Sequence, residues 1–382
     1  MLQIESRTFA KERGLFACVQ CGKCTGGCPM AMKTKLNPRA IIYRVLIAGN
    51  GFNLEGRDEL WDCTTCSTCY SRCPKQVNPM EAIVAMRSAI VEKGKIHPNV
   101  KTALESTFRN GNPLKLPRED RGLWAKDLQV KAFAETGAEY LFYVGCTPSY
   151  DPHGQKVARA LVSLLQSAGV DFGILGNDEN CCSSEVRRLG EVGLFEAMVE
   201  ENAEMFKELN VQKMFTVSPH CFNVFKNDYH TIEAGATFGA QVQHYTQMLA
   251  DLLKDGRLKF NGSFAKKVTY HDPCYLGKHN GIFDEPREVL TGIPGVELIE
   301  MDRSREKSLC CEGGGGRMWV EGTNPGTRLA QLRVKEALET GAEVLATACP
   351  FCLLTLDEAV KHLNAEEKIR VLDVAEIAAQ AL

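Results

Sequence analysis

Cys18, Cys21, Cys24 and Cys28 with Pro29 spell C-x-x-C-x-x-C-x-x-x-C-P, and Cys63, Cys66, Cys69 and Cys73 with Pro74 spell it again. Three thiolates at this spacing can wrap one face of a cubane, each meeting a different iron. The fourth, followed by proline, leaves the loop and reaches the neighbouring cluster. The spacing therefore predicts one [4Fe–4S] cubane on Cys18, Cys21, Cys24 and Cys73, and a second on Cys63, Cys66, Cys69 and Cys28. Structural zinc is the competing reading. Zinc sites usually pair two C-x-x-C knuckles rather than run three cysteines into a C-P.

A second constellation is duplicated. Cys146, the pair Cys181–Cys182 and Cys221 have counterparts in Cys274, the pair Cys310–Cys311 and Cys352, at separations of 128, 129 and 131 residues. The copies end in "TVSPHC" and "TACPFC", so Ser218 stands where the second copy has Cys349. Adjacent cysteines start from α-carbons about 3.8 Å apart, poorly placed for an unstrained disulfide and well placed to touch two irons or bridge them. Gly313, Gly314 and Gly315, in a run ending at Gly316, permit close backbone approach and leave amides to point at cluster sulfur. The run lacks the G-x-G-x-x-G spacing of a dinucleotide site. His271 and Glu312 flank these cysteines and could deliver protons. The bland alternative for His271 is a locally hydrogen-bonded imidazole at a strand end.

The chain must position these residues with 382 amino acids, 44% hydrophobic and 24% charged, enough for two or three ordinary cores. A net charge of −3 with no basic arm excludes an electrostatic case for nucleic acid. No apolar run reaches the length of a membrane span or an export signal. The expected location is the cytoplasm, or the periphery of the inner membrane through a partner. There, 17 thiols read as metal ligands rather than disulfides. The expected class is α+β overall. An all-α unit over 1–93 is followed by a Pro/Gly-rich linker over 94–135 and two α/β lobes over 136–260 and 261–382. "NPRAIIYRVLIAGNG" and "NPMEAIVAMRSAIVEKG" each place asparagine as N-cap and proline in the first turn, as helices do. In the lobes, apolar runs ending at a cysteine ("EYLFYVGC", "AEVLATACPFC") alternate with helical stretches such as "QKVARALVSLLQSAG". Parallel sheets with sites beyond their strand carboxyl ends follow.

The first unit resembles the helical ferredoxin domain of succinate dehydrogenase-type and heterodisulfide reductase-type subunits. The duplicated half resembles the cysteine-rich CCG domain, and the whole chain resembles the heterodisulfide reductase D-type subunit. By that resemblance, a complete motif (Cys274, Cys310, Cys311, Cys349, Cys352) binds a noncubane [4Fe–4S] cluster able to cleave a disulfide. This sequence departs from the family with Glu312 where a glycine usually completes "CCG", and with Ser183 and Ser218 in the first copy. A serine hydroxyl is a poor iron ligand, so Cys146, Cys181, Cys182 and Cys221 are expected to hold a different four-thiolate centre, iron–sulfur or zinc. The second lobe is expected to carry any chemistry. Three roles fit: a subunit that reduces a disulfide or similar acceptor, a relay with no substrate, or the electron-accepting subunit of a flavin hydroxyacid dehydrogenase. Each implies redox partners, a flavoprotein or a membrane cytochrome.

Overall fold

The computed structural model describes residues 2–382 except 325 and 327. Helix Pro38–Ile47 begins where Asn37 accepts the Ala40 amide, and helix Pro79–Val91 where Asn78 accepts that of Glu81. Together they bury Ile41, Ile42, Val45, Met80 and Ile83, at roughly 1.5–3 kcal/mol for each large side chain fully removed from water. The same apolar cluster takes in Leu309, Cys310 and Leu329, so the first unit is packed onto the second lobe. It is not wholly helical: Gln3–Ile4 pairs antiparallel with Phe52–Asn53, tying the amino-terminal segment to the connection between the cysteine motifs.

The stretch expected to be a linker carries structure. Helix Pro98–Asn110, started by His97 and Pro98 and closed by Gly111 at positive φ, sends Val100 and Leu104 into the core of the first lobe. Lys131–Ala132 then forms an edge strand of that lobe's sheet, so the lobe begins before residue 136.

The first lobe is a five-stranded parallel sheet in the order Lys131–Ala132, Phe172–Ile174, Tyr140–Tyr143, Lys213–Thr216, Gln241–His244. The second has four parallel strands in the order Arg370–Asp373, Val344–Thr347, Lys267–Tyr270, Glu297–Leu298. The amphipathic helix Pro152–Ser167 buries Val157, Leu161, Leu164 and Leu165 and packs against Val374–Ala379 of the other lobe. One apolar cluster runs through both lobes, from Phe142 and Phe215 to Val268 and Leu345. Cysteines follow the central strands in both: Cys146 and Cys221 in the first, Cys274 and Cys349 in the second. All four therefore stand beyond strand carboxyl ends, where parallel sheets present their sites.

Candidate metal centres

The fold gathers the cysteines into four sets. Cys18, Cys21, Cys24 and Cys73 line one small hollow, together with Lys23, Arg39 and Lys75. Cys28, Cys63, Cys66 and Cys69 line another, walled by Met30, Leu36, Met80 and Ile83. The two differ in access: Cys21 is exposed, whereas each cysteine of the second hollow is only 8% exposed. Both loops use the same backbone device. The residues on either side of the second cysteine adopt positive φ: Gln20 (56°) and Gly22 (80°), Thr65 (51°) and Ser67 (62°). For the three that are not glycine this conformation costs roughly 1–2 kcal/mol each. Such strain collects where a site over-determines the backbone. An all-thiol donor set around each hollow and matched strained loops fit iron–sulfur clusters.

The second lobe's set lies deeper. Cys310, Cys311, Cys349 and Cys352 are 1–3% exposed, and Cys311 Sγ lies 3.3 Å from Cys352 Sγ. Cys310 reaches Cys274 in its own lobe and Cys66 across the interface, where its Sγ also stands 3.5 Å from Thr64 Oγ1. His271 offers a ligand atom within 4.8 Å of those of Cys311 and Cys352. Its Nδ1 accepts from Arg333 Nε at 3.1 Å, and burial, with the Arg333 charge, pushes the imidazole down to about 3. With Nδ1 held by Arg333, the neutral ring would carry its hydrogen on Nε2. Glu312 is likewise held by its neighbours. Burial acts to raise its carboxyl, but the Leu329 amide and the Arg317 and Lys33 charges outweigh it and hold it below the ordinary value. It is an ion-pair hub: Arg317 Nη2 is 2.6 Å away, Lys33 Nζ 3.3 Å, and the Leu329 amide donates at 2.7 Å.

The glycines serve chain contact more than cluster contact. A Cβ on Gly315 would stand 2.6 Å from the Cys63 carbonyl, and one on Gly314 3.0 Å from His220 Cε1. Gly313 alone of the three lies beside a cysteine sulfur, 3.4 Å from Cys311 Sγ by the same measure.

The first lobe's set borders a cavity. Cys146, Cys181, Cys182 and Cys221 line a cavity of about 400 Å³ whose walls include Leu114, Met318, Trp319, Phe351 and Leu354. Ser218 and His220 also face it. This cavity is the space in which a centre held by those four thiols would sit, with room left against the apolar wall. His220 joins the lobes. Its Nδ1 lies 3.1 Å from Glu185 Oε1, its ring stacks on Tyr275 at 4.0 Å, and it hydrogen-bonds Cys349 of the second set. Burial pulls its imidazole down, yet Cys349 and Glu185 push it up to about 10. Burial likewise acts to raise Cys349, but Cys352 and His220 hold that thiol well below its ordinary range.

Three polar residues escaped sequence reasoning. Arg121, from the supposed linker, is buried with Nη1 and Nη2 each 3.7 Å from Cys146 Sγ. Glu179 receives Arg121 Nη2 at 2.6 Å and the Val144 and Gly145 amides at 2.8 Å, fixing the turn into Cys146. Glu185 accepts the Gly316 amide at 2.7 Å besides holding His220. Only the cysteines had diagnostic spacing. These residues are far from their partners in sequence.

Family comparison agrees with this layout. A model of the 4Fe-4S dicluster domain matches residues 14–77, and one of the cysteine-rich domain (CCG) matches twice, at 140–226 and 268–357. The chain belongs to the iron–sulfur oxidoreductases that include the D-type subunit of heterodisulfide reductase. It is 34% identical to the D-type subunit of the dihydromethanophenazine:CoB--CoM heterodisulfide reductase of Methanosarcina barkeri, over 100% of this chain and 97% of that protein. It is 36% identical to "Probable iron-sulfur-binding oxidoreductase FadF" of Bacillus subtilis, over 100% of this chain and 61% of the relative. With "EtfAB:quinone oxidoreductase" of Syntrophomonas wolfei the figures are 34%, 96% and 58%. The chain thus spans about three-fifths of the length of the latter two. Among the described residues no helix is long and apolar enough to cross a membrane.

Proposed function

We propose that this chain is the electron-carrying and acceptor-reducing subunit of a heterodisulfide reductase-like complex, and that its acceptor is a disulfide or a similar two-electron compound. The observation that carries the reading is the order of the thiol sets: exposed Cys21, the buried inner hollow, Cys66 against Cys310, Cys349 against His220, and finally the apolar cavity. Cys18, Cys21, Cys24 and Cys73 would hold one [4Fe–4S] cubane, and Cys28, Cys63, Cys66 and Cys69 the other. Cys274, Cys310, Cys311, Cys349 and Cys352 would hold a noncubane [4Fe–4S] cluster. Cys146, Cys181, Cys182 and Cys221 would hold a four-thiolate centre. Such clusters, when bound, supply one-electron storage at tunable potential.

The chain's own residues do the rest. Arg121 sets a fixed positive charge against Cys146, offsetting thiolate charge in a buried site. Trp319, Met318 and Phe351 give the cavity walls that exclude water. His220, steadied by Glu185, holds a proton at the cavity wall. A disulfide consumes two electrons and two protons to give two thiols, so the reductant must come from a docked redox partner, a flavoprotein or a cytochrome.

The test uses anaerobically purified full-length protein, with iron and zinc measured per chain and EPR spectra recorded. Reduced viologen should then reduce a mixed aliphatic disulfide with two viologen radicals consumed per disulfide. Leu354→Trp, which fills the cavity, should stop this reaction at unchanged iron content. Ser218→Cys should alter one EPR signal only. Iron-replete wild-type protein that leaves every disulfide intact would return the chain to the relay role.

A further inference from the structure

The hollow formed by Cys18, Cys21, Cys24 and Cys73 opens at the surface through exposed Cys21, and its rim is cationic. Lys23, Arg39 and Lys75 line it, and Arg72 packs over Gly27 beside it. All four cations are exposed, and among the described residues none of them is paired with a carboxylate. Residues 1–50 contain eight lysines and arginines against Glu5 and Glu12, in a chain whose net charge is −3. Apolar side chains sit among these charges. Val19, on the hollow itself, is 58% exposed, and Tyr43, one helical turn beyond Arg39, is 50%. A small apolar centre ringed by uncompensated like charge is the pattern of a steered protein contact.

We propose that this face docks an acidic redox protein, one whose cofactor edge is surrounded by Asp and Glu, and that one-electron exchange with the chain takes place there. The inference rests on reading the four thiols as a redox centre. The charge follows from the rim. A partner with a negative surface gains long-range attraction to Lys23, Arg39, Arg72 and Lys75, and on contact buries Val19 and Tyr43. A basic or neutral partner would leave four cations facing one another's field. The balance of the step is simple: the reduced partner loses one electron and the chain gains it.

Stopped-flow mixing of the full cluster-loaded protein with a reduced plant-type [2Fe–2S] ferredoxin, an acidic probe, tests this. The second-order rate should fall roughly tenfold or more between about 20 mM and 500 mM salt. Arg39→Glu with Lys75→Glu should bring the low-salt rate near the high-salt value at unchanged iron content. If that pair loses iron, Arg39→Glu alone, on a helix outside the cysteine loops, decides. Lys254→Glu, in the first lobe's last helix, should change nothing. A rate indifferent to salt and to these reversals overturns the proposal. So does a chain that sediments with phosphatidylglycerol vesicles through Arg39 and Lys75 while ferredoxin exchange is unaffected, for the face is then a lipid site. Wild-type protein lacking iron at Cys18–Cys24 would instead refute the reading of the centre, which iron analysis detects before any kinetics.

Discussion

Replacing Glu312 by glycine sets two effects of opposite sign against each other. The residue sits at φ 68°, as does Ser183 at 64° in the other lobe, so the position after each cysteine pair favours glycine. Glycine would relieve roughly 1–2 kcal/mol of left-handed strain. It would also remove a fully buried carboxylate that neutralises Arg317, pairs with Lys33 and accepts the Leu329 amide. Breaking a buried pair by deleting one partner costs roughly 3–5 kcal/mol. The lower half of that range applies, because Arg317 keeps the Val320 and Glu321 carbonyls at 2.7 and 2.6 Å. The expected net is a loss of about 2 kcal/mol, or roughly 2–3 °C in Tm for a chain of 382 residues. Calorimetry of anaerobic, cluster-loaded protein at one scan rate measures it. Glu312→Gln should lose less, since its amide oxygen can still accept from Leu329. Glu312→Gly combined with Arg317→Leu should recover part of the loss. A Tm for Glu312→Gly equal to or above wild type would refute the reasoning and make strain the larger effect.

Arg87→Met should abolish soluble, iron-loaded protein, at a cost of more than about 4 kcal/mol, because buried carbonyls left without donors cost roughly 1–3 kcal/mol each. Arg87→Lys should not rescue it, as gel filtration will show. Burial pushes the Asp373 carboxyl up to about 8, against lowering hydrogen bonds from Tyr245 and the Ala375 amide. The folded chain therefore keeps a proton that the unfolded chain releases above about pH 4, so this stability is present at low pH and lost as pH rises through 8. Urea midpoints should fall from about pH 5 to 9, and Asp373→Asn should flatten the curve. Cys69→Ala should lower iron by about four atoms per chain while leaving the other centres' EPR signals in place.

What was legible in the sequence was local. The C-x-x-C runs, the Asn-Pro helix starts and the strands ending in cysteine each depend on residues within about ten positions, and the fold forms those elements. The duplication was legible because its register barely drifts. Helix Pro98–Asn110 was missed because its flanking prolines and glycines read as loop, although its apolar face joins a core only tertiary packing supplies. The cavity beside Cys146 was also hidden. Leu114, Met318, Trp319 and Phe351 meet around Cys146 from distant segments, and no spacing rule connects them. For His271 and Glu312 the sequence shows adjacency to cysteine but not the arginines that contact them, Arg333 and Arg317.

Arg87 is fully buried and has no carboxylate partner among the described residues. Its guanidinium donates to the carbonyls of Leu60 and Cys63 in the first unit, of Arg188 in the first lobe and of Gly315 in the second, at 2.7–3.1 Å. A carbonyl is the one group every residue supplies, so this junction recognises the path of the backbone and ignores the side chains along it. The bond Arg87 makes to each carbonyl survives a substitution that keeps that path, although at Gly315 there is no room for a Cβ and at position 188 the side chain pairs with Glu81 on its own account. At this one point the three bodies meet through backbone alone, whereas Lys33 with Glu312 and His220 with Tyr275 join them through particular side chains. A change at Arg87 is therefore felt in all three bodies at once, while a change of side chain at one of the carbonyls it holds is felt mainly in its own body.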